Sequence, residues 1–306
     1  MSCSSSCALR RPQIASSSSG RAALGGSMVM AAYRVSTSTR RDAEKPPGVL
    51  AWSERVTPAW SRMRAFARTG RAARPSREFE QENWRSSHGA AGGPARTLGL
   101  AMTRHELGAG ITVHVHASGE GGIFVNAFLV ETRGGVVAVD STLTETESRA
   151  FRQELESLRK PLLAALVTHP HPDHVAGLTN LVKGEDTRIV ATRPVLELMR
   201  TLEEPKRKQW TPVYGAEWVQ RWTYPNVVVE SGERLTFDGV TYRVLDVGAG
   251  GDSDANAVWC IDSPQRTAFL GDLVFAGTHS YVADGHLLAW LANLERLEGL
   301  CRGMER

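Results

Sequence analysis

Cysteine is scarce in this sequence of 306 residues, and the four that occur are Cys3, Cys7, Cys260 and Cys301. Two lie near the amino terminus, one in an apolar stretch and one in the last predicted helix, so they offer no disulfide framework. The sequence also lacks any apolar run of about 18 residues and the apolar core of a secretory signal. These absences predict a soluble protein of a reducing compartment, the cytoplasm, with no membrane partner.

Acidic residues are missing from the first 41 positions, and charge divides the chain in two. Residues 1–101 contain 16 Lys and Arg against 6 Asp and Glu, with serine runs and little hydrophobic periodicity. This composition predicts disorder, and a spurious extension before Met102 is favoured over an organelle transit peptide. Residues 102–306 predict one domain, possibly truncated at its C-terminus. With 20 basic and 27 acidic residues, this domain implies no nucleic-acid partner.

Three histidines and an aspartate occur within six residues: His169, His171, Asp173 and His174. Imidazole and carboxylate groups at this density suit zinc or a similar ion, whereas calcium and magnesium prefer oxygen ligands alone. Without a cation, protonated imidazoles would repel one another, and buried ones would be costly to desolvate. A polar loop of solvated histidines is the weaker interpretation, so the cluster predicts a metal centre.

The cluster follows the apolar run 162–167, which is typical of a buried strand, and precedes residues 175–182, which are typical of a helix. Pro170 and Pro172 restrict the backbone on both sides of His171. Loops at the carboxyl ends of strands are where open α/β architectures form ligand sites. We therefore expect the histidines on a stiff strand-to-helix loop.

The motif His-x-His-x-Asp-His after a core strand resembles that of the metallo-β-lactamase superfamily of metallohydrolases. Val136–Asp140 resembles the earlier strand of that family, which ends in an aspartate that helps to position the metal-binding loop. Ala268–Asp272 resembles the later strand that ends in Gly-Asp. The likeness covers roughly residues 105–306, and it is specific because the three segments occur in the family's order.

The resemblance implies a zinc centre, with two ions, and a ligand for each position that matches the motif. His169 and His171 would bind the first ion, Asp173 and His174 the second, and Asp272 would bridge the pair. A metal-bound hydroxide would be the nucleophile, since two cations lower the pKa of water and stabilise the oxyanion that forms. Asp173 is the predicted catalytic residue, which would orient that hydroxide or carry its proton.

The sequence departs from the family pattern where Gly-x-Gly-His is common, because this chain has Gly248–Asp252 instead. The expected histidine ligand is missing. Asp252 or Asp254 could supply an oxygen ligand in its place, or could shape the turn before Asn256, since aspartate favours such positions. Both interpretations stay open from the sequence.

A second departure concerns the family's last histidine, which follows a helix that here spans about residues 287–300. The sequence ends at Arg306 without it. His279 and His286 could reach the site from a loop, but each is better interpreted as a surface or supporting histidine. A centre with one metal ion, or a weakly metallated one, is therefore an alternative.

Asp272 also bears on the implied substrate. In the family, true β-lactamases tend to lack the bridging aspartate, whereas thioester, lactone and phosphodiester hydrolases tend to carry it. The resemblance thus implies a metal-dependent hydrolase of a small ester, thioester, lactone or amide. The alternatives are a catalytically impaired member with a binding role and an iron-dependent persulfide dioxygenase.

Alternating patterns predict the remaining elements, and the resemblance implies that they form an α+β fold, an αββα sandwich. Helices are predicted at 145–159, 195–203 and 287–300. His114 and His116 alternate with apolar residues on a predicted strand, and we expect them to be exposed. The aromatic segment 210–226 is interpreted as a lid, a substrate wall or core packing. Strands are predicted at 110–116, 123–131, 135–140, 161–168, 188–191, 226–229, 234–237, 241–247, 257–261 and 268–272.

Overall fold

The structure is a computed structural model that describes residues 26–27, 103–184, 186–275, 280–302 and 304–305. Gly26–Ser27 pairs in parallel with Met304–Glu305. The predicted extension over residues 1–101 otherwise lies outside the described residues, and so does His279.

Seven strands form the larger sheet, and their order in the sheet is their order in the sequence. The first three pairings are antiparallel, and the last three are parallel because helices carry the chain back across one face. The strands are β1 (Thr103–Gly108), β2 (Ile111–Ala117), β3 (Asn126–Glu131), β4 (Val136–Val139), β5 (Leu162–Leu166), β6 (Arg188–Thr192) and β7 (Val227–Val229).

Four strands form the smaller sheet, which is antiparallel throughout, in the order β11-β10-β9-β8. A tight turn joins β8 to β9, and a longer loop, 249–255, joins β9 to β10. They are β8 (Arg234–Phe237), β9 (Val240–Gly248), β10 (Asn256–Ile261) and β11 (Thr267–Phe269).

Helices cover the outer face of each sheet. In α1, the Thr144 hydroxyl accepts a hydrogen bond from the Glu147 amide and caps the first turn. None of the described helices combines the length and apolarity that crossing a membrane requires. The helices are α1 (Glu145–Ser157), α2 (Pro172–Val175), α3 (Leu178–Leu181), α4 (Arg193–Tyr214) and α5 (Leu287–Cys301).

Central strands are buried on both faces, so they read as continuous apolar runs. In β10, Trp259 faces the core between the sheets, while Val258 and Cys260 face α5. In β4, Val137 faces the core between the sheets and Ala138 faces the first helical layer. Three apolar cores therefore separate four layers, which confirms the predicted α+β, αββα sandwich.

The expected exposure of His114 and His116 is wrong. Their side chains are buried, with only 3% and 5% of each residue exposed. The Nε2 atom of His114 lies 2.7 Å from Oε2 of Glu131, and Nδ1 of His116 lies 2.9 Å from Oε2 of Glu154. α1 packs over this face of β2, and its partly buried Glu147 and Glu154 pair with His116.

Three other local differences have plain causes. Strand β1 was not predicted, because its sequence is largely polar and pairs at the edge of the sheet. Helix α4 runs to Tyr214, through Pro205 and Pro212, well beyond the predicted end. The aromatic segment packs as core, since Trp218 and Trp222 are buried against the first helical layer.

Candidate metal centre

The candidate centre lies where strands of both sheets end. Asp140 directly follows β4, and the histidine cluster follows β5. Asp252 lies on the loop between β9 and β10, and Asp272 lies on the 3-10 turn Gly271–Leu273 after β11. Folding thus brings together residues that are more than 100 positions apart in the sequence.

Asp140 fixes the start of the histidine cluster. Its Oδ1 accepts a hydrogen bond from the Thr168 amide at 2.8 Å, and its Oδ2 accepts one from the Thr168 hydroxyl at 2.7 Å. The same Oδ2 lies 2.9 Å from Nδ1 of His174. Asp140 has a positive φ of 59°, a conformation that aspartate tolerates better than most residues. One buried carboxylate therefore orients both ends of the cluster.

The first group of candidate ligands is His169, His171 and Asp252, all buried. The Asp252 carboxylate lies between the two rings: its Oδ2 is 2.8 Å from Nδ1 of His171, and its Oδ1 is 3.7 Å from Nε2 of His169. The other nitrogen of His169, Nδ1, is 3.0 Å from the Thr168 hydroxyl.

The second group is Asp173, His174 and Asp272. Nε2 of His174 lies 3.2 Å from Oδ1 of Asp272 and 3.4 Å from Oδ2 of Asp173. His171 is the residue at the N-cap position of helix α2, so Asp173 and His174 lie on a helical turn, where a loop was expected. Both aspartates are partly exposed, so this group faces solvent more than the first.

Buried polar atoms without hydrogen bonds indicate that both groups suit a metal ion. Among the described residues, Nε2 of His169, Nε2 of His174 and Oδ1 of Asp252 have no hydrogen-bond partner. A buried polar atom without a partner is costly. The Nδ1 atoms of both histidines are held by Thr168 and Asp140, which is how metal-binding histidines are usually oriented.

Electrostatics give the three histidines different proton affinities. Burial, with His174 and His171 nearby, holds the pKa of His169 well below its usual value, so this ring is neutral. Burial alone would lower the pKa of His171, but Asp252 and Asp284 outweigh it and raise that pKa to about 10. Burial is likewise outweighed at His174, where Asp272, Asp173 and Asp140 raise the pKa. A bound cation would take the place of these protons.

Two glycines permit the close approach of these loops. Gly271 has a φ of 54°, and a Cβ there would lie 2.6 Å from the Thr168 hydroxyl oxygen. Gly250 has a φ of 130°, and a Cβ there would lie 2.7 Å from Nδ2 of Asn293. Larger residues at either position would push Asp272 or Asp252 away from the histidines.

All five predicted metal ligands lie in the two groups: His169, His171, Asp173, His174 and Asp272. Of the two aspartates left open, Asp252 joins the first group. Asp254 is 64% exposed at its side chain, and its Oδ1 lies 2.5 Å from Nε2 of His286. His286 therefore pairs outside both groups, in keeping with its interpretation as a supporting histidine.

Asp284 was not predicted from the sequence, and its Oδ2 lies 3.7 Å from Nε2 of His171. Tyr281, on the same loop, places its ring 6.4 Å from the His171 ring, centre to centre. No motif marks either residue. The only available signal was their position on the loop between the Gly-Asp turn and α5.

Comparison with known proteins gives a family match and several structural likenesses. The family model described as the metallo-beta-lactamase superfamily matches residues 120–300. No curated protein sequence matches the chain. Similar solved structures include a metallo-beta-lactamase from Pontibacter korlensis, which is 19% identical in sequence. The alignment covers 65% of this chain and 86% of that chain, with a TM-score of 0.49.

Two further structures show similar values. A subclass B3 metallo-beta-lactamase of Bradyrhizobium japonicum is 15% identical, with coverage of 63% of this chain and 72% of that chain and a TM-score of 0.46. A metallo-beta-lactamase from Novosphingobium pentaromativorans is 18% identical, with coverage of 63% and 71% and a TM-score of 0.45.

Proposed function

The chain belongs to the metallo-beta-lactamase superfamily, and from this premise we propose that it is a metal-dependent hydrolase of a small ester, thioester, lactone or amide. One observation carries the proposal: in each of the two groups, imidazole and carboxylate ligand atoms lie close enough together to hold one ion, and Nε2 of His169 and of His174 makes no hydrogen bond among the described residues. The proposed cofactor is zinc, as two ions, and the proposed partner is a small molecule.

The proposed ligands divide between the two groups. His169 and His171 would hold the first ion, Asp173 and His174 the second, and Asp272 would bridge the pair. When bound, the ions would supply the nucleophile by lowering the pKa of water, and would stabilise negative charge on the attacked group. Asp140 and Thr168 keep the imidazoles oriented throughout.

Asp173 is the proposed catalytic residue because its carboxylate is ionised and belongs to the second group. Burial would raise its pKa, but His174 and His171 outweigh burial and lower it. An ionised carboxylate can accept a proton from the attacking water and later return it to the leaving group. Its partial exposure leaves room for a substrate beside it.

The test combines metal content with turnover, for wild type and His171→Ala. Elemental mass spectrometry of the wild-type chain should find about two zinc ions per chain. The His171→Ala variant should lose metal and lose hydrolysis of a panel of esters, thioesters, lactones and amides. His105→Ala, in strand β1 away from both groups, is the matched control and should keep both. Unchanged turnover in His171→Ala would refute the proposal.

A second candidate function, an impaired member that binds without hydrolysis, is supported by His286. Because His286 pairs with Asp254, the second group contains a single imidazole among the described residues. This candidate predicts that no substrate of the panel turns over even with metal supplied. Robust metal-dependent turnover would exclude it.

A further inference from the structure

We infer that Asp252 is the third ligand of the metal ion held by His169 and His171, and that the resulting centre of two histidines and one carboxylate favours iron(II) over zinc more than a three-histidine centre would. This inference rests on the proposed function, since it requires a metal ion at His169 and His171. It adds to that proposal a ligand and a metal preference.

The first support is the position of the carboxylate. Its two oxygens lie 2.8 Å from Nδ1 of His171 and 3.7 Å from Nε2 of His169. Donor atoms that each bind one ion at about 2 Å lie within about 4 Å of one another. Asp252 is also only 3% exposed, so water cannot readily satisfy the unpartnered Oδ1. The three side chains are spaced as ligands of one ion.

The second support is that other side chains make the hydrogen bonds of the turn. Ser253 Oγ accepts from the Ala255 amide, and Asn256 donates to the carbonyls of Gly248 and Ser253. Asn293 of α5 donates to the Gly250 carbonyl. Within 103–184, 186–275 and 280–302, the hydrogen bond found for the Asp252 carboxylate goes to His171. A turn role therefore does not account for this aspartate.

The third support decides which nitrogen of His171 faces the metal. Nε2 of His171 points to Asp284, which is partly exposed, at 3.7 Å. Nδ1 points to the buried side, where the partnerless Nε2 of His169 and Oδ1 of Asp252 also lie. Nδ1 is therefore the nitrogen of His171 that faces the other two candidate ligand atoms.

The metal preference follows from the donor types. Replacing an imidazole by a carboxylate adds an oxygen donor and a negative charge. This change favours harder ions such as iron(II) relative to zinc. Two histidines and one carboxylate with open positions are the donor set of many non-haem iron(II) sites. The comparison that isolates this effect is Asp252→His, which creates a three-histidine donor set.

The experiment is competitive metal loading of the full chain. Metal-free protein is incubated without oxygen with equal, limiting iron(II) and zinc, then separated from free ions and analysed by elemental mass spectrometry. Relative to wild type, Asp252→His should lower the bound iron-to-zinc ratio by about tenfold or more, since even residues that only support ligands change metal affinity by about 10–100-fold. Asp252→Asn should lose one ion per chain.

Asp254→His is the matched control, because it adds a histidine to the same loop at an exposed position outside both groups. It should keep the wild-type ratio. Thermal unfolding of each metal-free variant shows whether it is folded. An unchanged ratio in Asp252→His, with full metal content in Asp252→Asn, would overturn this inference and leave the hydrolase proposal standing. A wild-type chain that binds no metal would overturn both.

Discussion

Histidine has two ring nitrogens, and in this protein the groups that face them differ between the ligand candidates and His116. His174 and His169 each have one nitrogen held by a neighbour and one buried nitrogen without a partner among the described residues. Nε2 of His116 is also buried without a hydrogen bond, but this ring lies between two glutamates of α1 and outside both groups: Nδ1 is 2.9 Å from Glu154, and Nε2 is 3.5 Å from Glu147. Such an arrangement favours a charged ring that joins a strand to a helix.

His116 leads to a prediction about stability and pH. Burial alone would lower its pKa, but Glu147 and Glu154 outweigh burial and raise the pKa to about 9 in the folded protein, against about 6.5 when unfolded. The stabilisation that the charged His116 ring contributes to the folded protein is therefore complete below pH 6.5 and is lost as pH rises through about 9. His116→Gln should lower the free energy of unfolding by no more than about 3 kcal/mol at pH 6, and by much less at pH 9.5.

Urea unfolding across this pH range measures the difference between wild type and His116→Gln. His105→Gln, on the neighbouring strand β1, serves as the control and should show no such trend. A difference that stays constant from pH 6 to pH 9.5 would show that the ring is not charged in the folded protein.

Among single residues, the sequence predicted four ligand candidates from one local motif of distinctive chemistry, and the fifth, Asp272, came from the family resemblance. It left Asp252 undecided, because a turn aspartate and a ligand aspartate have the same local sequence, and only the distance to His171 separates them. It was wrong about His114 and His116, because alternation places them on one face of a strand but does not say whether a helix covers that face.

Among the elements, α5 holds the loop that carries Asp252. Asn293 donates to the carbonyls of Val247 and Gly250, and Trp290 donates to the carbonyl of Leu273, next to Asp272. Both side chains are buried. The helix thus supports the two carboxylates that come from the smaller sheet.

Asn293→Ala should therefore affect both stability and metal binding. Removing its amide leaves two carbonyls short of a donor, which costs about 1–3 kcal/mol in the free energy of unfolding. Metal affinity should fall by about tenfold or more, since the loop of Asp252 loses its support. Denaturant unfolding and metal titration measure the two effects. Leu288→Ala, at a well exposed position of the same helix, should change neither, and a normal metal affinity in Asn293→Ala would contradict the prediction.

Most elements could be predicted from the sequence, since strands such as Arg234–Phe237 and helices such as Glu145–Ser157 have clear patterns and caps. Helix α4 was predicted too short because proline usually ends a helix, yet packing against the first helical layer carries the helix past Pro205 and Pro212. The pairing of strands into two sheets came from the family resemblance, since local patterns do not specify long-range partners.

For the whole molecule, the important feature is that the candidate centre joins the two sheets. The three imidazoles follow β5 of the larger sheet, whereas Asp252 and Asp272 follow strands of the smaller one. Trp259 adds a direct link, because its indole nitrogen donates to the carbonyl of Val167, just before the cluster. A metal ion bound here would hold both sheets together.

Metal should therefore stabilise the folded chain as a whole. At a free zinc concentration of about 100 times the dissociation constant, the free energy of unfolding should rise by about 2.7 kcal/mol per site. Calorimetry should show a higher unfolding temperature with zinc and a return to the original value with a chelator. The unfolding temperature of His171→Ala should rise much less with zinc. An unchanged unfolding temperature of the wild type after zinc addition would contradict this expectation.

The same arrangement divides the protein's chemistry between two consecutive parts of the chain. Residues 103–229 build the seven-stranded sheet and contribute every imidazole of the centre, while residues 234–302 contribute Asp252 and Asp272. Mutations in the second part can thus exchange oxygen donors for nitrogen donors without disturbing the histidine cluster. With Asp252 as the inferred ligand, one substitution on the loop between β9 and β10 is expected to alter the metal preference while the seven-stranded sheet and its histidines stay unchanged.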